Sequence, residues 1–223
     1  MGTDNIHHKR KAKSHRDLNR RKAKRSSYEK ILIVCEGAKT EPNYFNEIID
    51  IYEINSANVV VDGKCGSSPK SVFEHALKKY DAEKKKGDPF DRVYCVYDKD
   101  SHPSYKETQD KIIRKKPKNI FYSVSSVPCF EYWLLLHFVY STKPYESVNG
   151  LSAGEQVFNE LTAHMPDYSK GKKDTFSILL DQFDTAKSNA IRANRTASQS
   201  DTDNPSTQIH ELISFLQDIN NNV

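Results

Sequence analysis

Ile31, Leu32, Ile33, Val34 and Cys35 form an unbroken apolar run that stops at an acid and a glycine, Glu36 and Gly37. A strand with no polar side to turn to water must be covered on both faces, which predicts a parallel sheet with helices above and below it. Glu36 then falls at the carboxyl end of that strand, where open α/β sheets hold their ligands and chemistry. Gly37 lets the backbone turn without a Cβ penalty. Thr40 is placed to cap a helix with Glu41 and Pro42 in its first turn, and Phe45, Ile48, Ile49 and Tyr52 follow at the spacing of one helical face. An acid in this position also has a plainer reading as a helix-capping group. Chemistry at Glu36 therefore requires partners from elsewhere in the chain.

The pattern after this unit repeats strand and helix. Asn58 to Asp62 reads as a second strand, and Ser68 with Pro69 as the cap and first position of a second helix striped by Phe73, Ala76, Leu77 and Tyr80. Arg92 to Tyr97 reads as a third strand running into Asp98, Lys99 and Asp100. A helix over Tyr105 to Lys115, broken by Pro117, leads to a fourth strand at Asn119 to Val124. Such alternation specifies βαβ units. From Pro128 the pattern is helical: one face with Phe130, Trp133, Leu134, His137 and Phe138, then helices over Glu155 to Met165, Thr175 to Ala193 and Ser206 to Asp218, with a polar loop from Asn194 to Pro205. His137 reads as a satisfied core residue. The expected fold is α/β, a mostly parallel four-stranded sheet flanked by helices, Rossmann-like, with a C-terminal helical region. The expected organisation is a basic tail at 1–27, an α/β core at 28–127 and helices at 128–223.

Charge is unevenly spread. Residues 1–27 hold ten Lys or Arg against two Asp, a balance of +8, so the rest of the chain carries −4 within an overall +4. Within it, Lys9 to Arg25 has almost no large apolar residue beyond Leu18 and cannot bury enough surface to fold alone. It suits either a nucleic-acid arm that neutralises phosphates or a solubilising terminus. A mean hydropathy of −0.76, no apolar run of the roughly 20 residues needed to span a bilayer and no secretory signal give a cytoplasmic, non-membrane expectation. The four cysteines, Cys35, Cys65, Cys95 and Cys129, stand alone, without the spacing of a zinc site. Cys35 and Cys95 read as core thiols. No G-x-x-x-x-G-K-[ST] loop is present, so ATP hydrolysis by this chain is not expected.

Two strands of the expected sheet end in acids, the first in Glu36 and the third in Asp98 and Asp100. Residues two apart along an extended segment point the same way, so Asp98 and Asp100 are placed to share one ion, with Glu36 brought near by the neighbouring strand end. Three hard oxygen donors with open positions suit Mg²⁺ or Mn²⁺, and clustered carboxylates call for such a neutraliser.

These residues resemble a known family. A strand-end glutamate, a later D-x-D and alternating β/α order resemble the TOPRIM domain of topoisomerases, primases and OLD-type nucleases. More closely, C-E-G-A-K-T-E-P-N-Y-F at Cys35 to Phe45, Y-D-K-D-S-H-P at Tyr97 to Pro103, P-C-F-E-Y-W-L-L-L-H-F at Pro128 to Phe138 and N-P-S-T at Asn204 to Thr207 resemble the RloB-like family. The resemblance implies a TOPRIM-like core, with Glu36 placed for proton transfer or metal contact and Asp98 and Asp100 as metal ligands. It implies a metal-dependent nuclease acting on DNA or RNA in a bacterial antiphage, abortive-infection system with an ATPase partner. The alternative is a non-catalytic nucleic-acid or partner-binding subunit of such a complex. Glu131, an acid in an apolar helix, is a further candidate ligand or a helix-dipole partner. Lys39, Lys99 and His102 are candidate substrate contacts, each with a bland reading as a solvated or turn residue. The polar, basic stretch Tyr168 to Lys173 is another possible contact with substrate.

Overall fold

A computed structural model describes residues 29–55 and 58–221, with side chains through 219. The basic segment 1–27 lies outside the described residues. β1 (Ile31–Cys35), β2 (Val59–Asp62), β3 (Arg92–Asp98) and β4 (Phe121–Val127) run parallel, and β5 (Ser206–Thr207) pairs antiparallel with β4. The sheet order is β2-β1-β3-β4-β5. The fifth strand corrects the four-strand expectation: two polar residues are too short to show a period, and the sequence pattern alone merges them with the helix that follows. Their pairing is nevertheless well fixed. Ser125 donates from both its N–H and its hydroxyl to Gln208 Oε1 at 2.8 Å, Ser126 and Thr207 share a hydroxyl bond of 2.9 Å, and Asn194 exchanges two bonds with the Thr207 backbone. Asn204 likewise exchanges two bonds with the Tyr145 backbone. The N-P-S-T motif thus closes the sheet edge.

Strand alternation sorts the core. Ile31, Ile33 and Cys35 face one helical layer while Leu32 and Val34 face the other, and all five are fully buried. The first layer holds α1 (Thr40–Ile51), α4 (Phe130–Leu135), α5 (Ala153–His164), α6 (Thr175–Leu179), α7 (Phe183–Gln199) and α8 (Ile209–Asn221). The second holds α2 (Pro69–Lys85) and α3 (Tyr105–Arg114). α2 starts as its sequence predicts, with Ser68 and Ser71 in a reciprocal capping box and Pro69 in the first turn. α1 does not: Lys39 occupies its cap position without a side-chain bond, and Thr40 is already helical.

The helical region is more broken than its periodicity implies. The apolar stretch from Phe130 is helical only to Leu135, and Phe138 leaves the core to stack on His164. The span from Thr175 divides into α6, a 3-10 turn at Leu180–Gln182 and α7, which continues to Gln199 through residues expected as loop. His137 is a core residue but only half satisfied. Its Nδ1 meets the carbonyls of Trp133 and Leu134 at 3.2 and 3.1 Å, whereas Nε2 is buried without a partner. Burial lowers its pKa from 6.5 to about 4, and that of His210 likewise. Below pH 6.5 the unfolded chain takes up a proton that the folded His137 refuses until about pH 4. Stability from this residue is therefore lost as pH falls through that window, by up to about 3 kcal/mol. The urea midpoint of the wild type, measured relative to that of His137→Gln, should fall between pH 7 and 4.5, because His210 and the other titrating groups are common to both proteins.

Candidate active site

β1 and β3 lie side by side, yet the chain leaves β1 by α1 over one face and reaches β3 by α2 over the other. Their carboxyl ends flank the point where strand order reverses, and a crevice opens there for purely topological reasons. The turns after β1 and β2 are pressed together at its rim. A Cβ on Gly63 would lie 2.2 Å from the Gly37 carbonyl oxygen and 2.7 Å from Pro42 Cγ, so glycine is obligatory there.

Glu36 continues the β1 ladder, donating its N–H to Val96 at 2.9 Å, and its Oε2 accepts the Asp98 N–H at 3.0 Å. One strand-end acid thus grips the backbone of the other. His102 Nε2 lies 3.5 Å from Glu36 Oε1. Two further carboxylates come from the helices that begin at this rim: Glu41 in the first turn of α1 and Glu131 in the first turn of α4, both buried. Glu36, Glu41, Asp98 and Glu131 line one cavity of about 420 Å³, together with Lys39, Ser67 and Lys170. A neighbouring cavity of about 500 Å³ holds Asp98, Asp100 and Lys170. Asp98 and Lys170 belong to both.

Asp98 and Asp100 do not point together into the first cavity. Asp100 has φ +39, which takes the chain out of strand alternation immediately after β3. Lys39 lines the cavity, whereas Lys99 is held by Asp203 at 2.5 Å and lies over the Tyr105 ring. Glu41 is the acid that sequence reasoning passed over, because an acid in a first helical turn is ordinary. Lys170 and Tyr168 sit in the stretch singled out earlier, but their target is Glu131: Lys170 Nζ lies 3.5 Å from Glu131 Oε1, and the Tyr168 hydroxyl donates to the same oxygen at 3.3 Å.

The four carboxylates repel one another in a confined space. Burial raises the Glu36 pKa; the Asp98 N–H and His102 lower it, and Asp100 raises it further. Burial also raises Glu41, to about 8, with Glu131 and Glu36 adding repulsion and its own N–H and Lys170 offsetting part. Asp98 keeps some solvent contact, but burial among protein atoms, then Glu41, Glu131 and Glu36, push its pKa well above 3.8. Burial works against the Lys170 ammonium, yet Glu131 and Asp98 hold its pKa above the usual lysine value. All four cysteines are free, and burial raises each thiol, so none is primed as a nucleophile.

In charge and chemistry this donor set fits a hard divalent cation: the four acids on the smaller cavity are oxygen donors, and they outnumber its two lysines, Lys39 and Lys170. As placed, the carboxylates ring the cleft rather than converge. Among the described residues no three His, Cys, Asp or Glu side chains are gathered as a metal-ligand set. Among those residues, too, no helix is long and apolar enough to cross a membrane. No curated protein and no solved structure matches the chain. The family model described as RloB-like protein matches residues 31–216, from β1 into α8 and across the whole cleft. By that match the chain belongs to the RloB-like family.

Proposed function

We propose that the cleft is a metal-dependent phosphodiesterase site of TOPRIM type, and that the protein cleaves nucleic acid as part of a bacterial antiphage system. The observation that carries this reading is that four carboxylates, Glu36 just after β1, Glu41 of α1, Asp98 of β3 and Glu131 of α4, line one cavity at the switch point of the sheet. Glu36, Asp98 and Glu131, with Glu41 beside them, would hold Mg²⁺ or Mn²⁺, and Asp100 faces the adjoining cavity. When bound, such an ion supplies Lewis-acid polarisation of a phosphate and a more acidic attacking water. The chain's own residues provide the rest. Glu36 and His102, 3.5 Å apart, form a pair able to pass a proton at Glu36 Oε1. Lys39 at the cavity wall offers a positive charge to a phosphate oxygen. The basic segment 1–27 would concentrate polyanionic substrate. An ATPase partner would control when cleavage occurs.

A second reading has a specific observation behind it. Because no three-ligand set is preformed among the described residues, the protein would instead be a nucleic-acid or partner-binding subunit whose acids do no chemistry. One assay separates the two. Labelled DNA and RNA are incubated with the full chain in Mg²⁺, Mn²⁺ or EDTA. Products that require metal and fall by about a hundredfold or more in Glu36→Gln support the enzyme. Retained binding with no products under any condition, including with a co-purified ATPase, selects the binding subunit.

A further inference from the structure

We propose that Lys170 is the cleft's built-in counter-ion, and that a divalent cation enters only when the strap carrying Lys170 releases Glu131. This rests on the metal-binding reading above and concerns how that site is regulated.

The strap is segment 166–174, between α5 and α6, and it is fastened across the cleft at several points. Tyr168 is buried and donates to Glu131. Asn43 of α1 donates its side-chain amide to the Gly171 carbonyl at 2.8 Å. Beyond the strap, Glu47 of α1 accepts the Phe176 N–H at 2.8 Å and fixes the start of α6. Gly171 stands directly on Lys39: with φ +78, a Cβ there would lie 2.8 Å from Lys39 Cβ. Only glycine lets the strap descend far enough for Lys170 to reach into the carboxylate ring.

Among the described residues, Lys170 is the one amine in an ion pair with any of Glu36, Glu41, Asp98 and Glu131. The Lys170 side chain is 64% exposed while that of Glu131 is 3% exposed. The ammonium therefore approaches a sunken acid from the solvent side and can withdraw without disturbing the core. Lys170 also lines both cavities, at their shared boundary with Asp98. An ammonium and a divalent ion cannot both neutralise Glu131 at close range, because each repels the other. Cation binding and the Lys170 contact then compete, and the strap sets the threshold.

Affinity for Mn²⁺ is measured by isothermal titration calorimetry on the full chain, without nucleic acid. Lys170→Gln is expected to bind Mn²⁺ about five- to tenfold more tightly than the wild type. Gly171→Ala, which lifts the strap but keeps the amine, should move affinity in the same direction. In the wild type, Mn²⁺ should speed amide hydrogen exchange across 166–174. Equal or weaker binding by Lys170→Gln, with measurable binding by the wild type, overturns the counter-ion role and leaves the metal site standing. Absence of Mn²⁺ binding in both proteins overturns the metal site itself, and the proposal with it.

Discussion

Replacing Asp98 with Asn is expected to cut metal-dependent cleavage by about a thousandfold or more while making the metal-free protein more stable at neutral pH. Both effects come from one cause. Asp98 sits where Glu36, Glu41 and Glu131 crowd it, and its pKa is raised well above 3.8 by burial and by those neighbours. The folded protein therefore holds a proton on Asp98 at pH values where the unfolded chain has lost it. For a carboxyl raised in this way, stability declines as pH rises above 3.8. Asparagine needs no proton and escapes the decline. The gain should be largest near pH 7 and should vanish toward pH 4. Thermal melts in EDTA across that range check the stability arm, and cleavage of labelled nucleic acid in Mg²⁺ checks the other. A variant that remains active, or whose stability advantage is independent of pH, would remove Asp98 from the site.

Trp133→Ala should destabilise the fold by about 3–5 kcal/mol, the range for deleting a large buried aromatic side chain. Trp133 is fully buried, and its indole N–H donates to the Tyr44 hydroxyl at 2.8 Å. Tyr44 in turn packs edge-on against Phe45, Phe130 and Phe176. The joint matters to the site because Tyr44 lies one turn beyond Glu41 on α1, and Trp133 lies two residues beyond Glu131 on α4. The separation of two cleft carboxylates is thus set by a contact deep in the core. Trp133→Phe keeps most of the volume and loses the hydrogen bond, for an expected cost of about 1–2 kcal/mol. Because this is the chain's single tryptophan, urea unfolding should be followed by far-ultraviolet circular dichroism. A loss under about 1 kcal/mol for Trp133→Ala would show that the joint does not hold the helices together.

The parallel sheet was legible because the Ile31–Cys35 run admits little else, and the acids at two strand ends followed from it. What escaped reading had no periodic signal. Ser206 and Thr207 form a strand through hydroxyl and amide bonds to partners far away in the chain, which no local pattern records. The break after Leu135 was hidden because the sequence stays apolar through Phe138. Glu41 was disguised by its favourable place in a helical turn, and only the fold reveals that Glu131 and Asp98 share its space. Asp98 and Asp100 do share a cavity, but a positive φ at Asp100 ends the strand alternation there, so which cavity they share was not legible in the residue spacing.

β4 meets its outer neighbour late in synthesis, since Ser126 and Thr207 are 81 positions apart. Until those residues leave the ribosome, the flank of a nascent sheet stays open, with unused amides and carbonyls inviting another copy to dock. In the closed sheet Ser125 and Ser126 of that strand are buried, and their hydroxyls bond Gln208 and Thr207. A short polar closure thereby covers a strand flank that would otherwise be open to pairing with another copy.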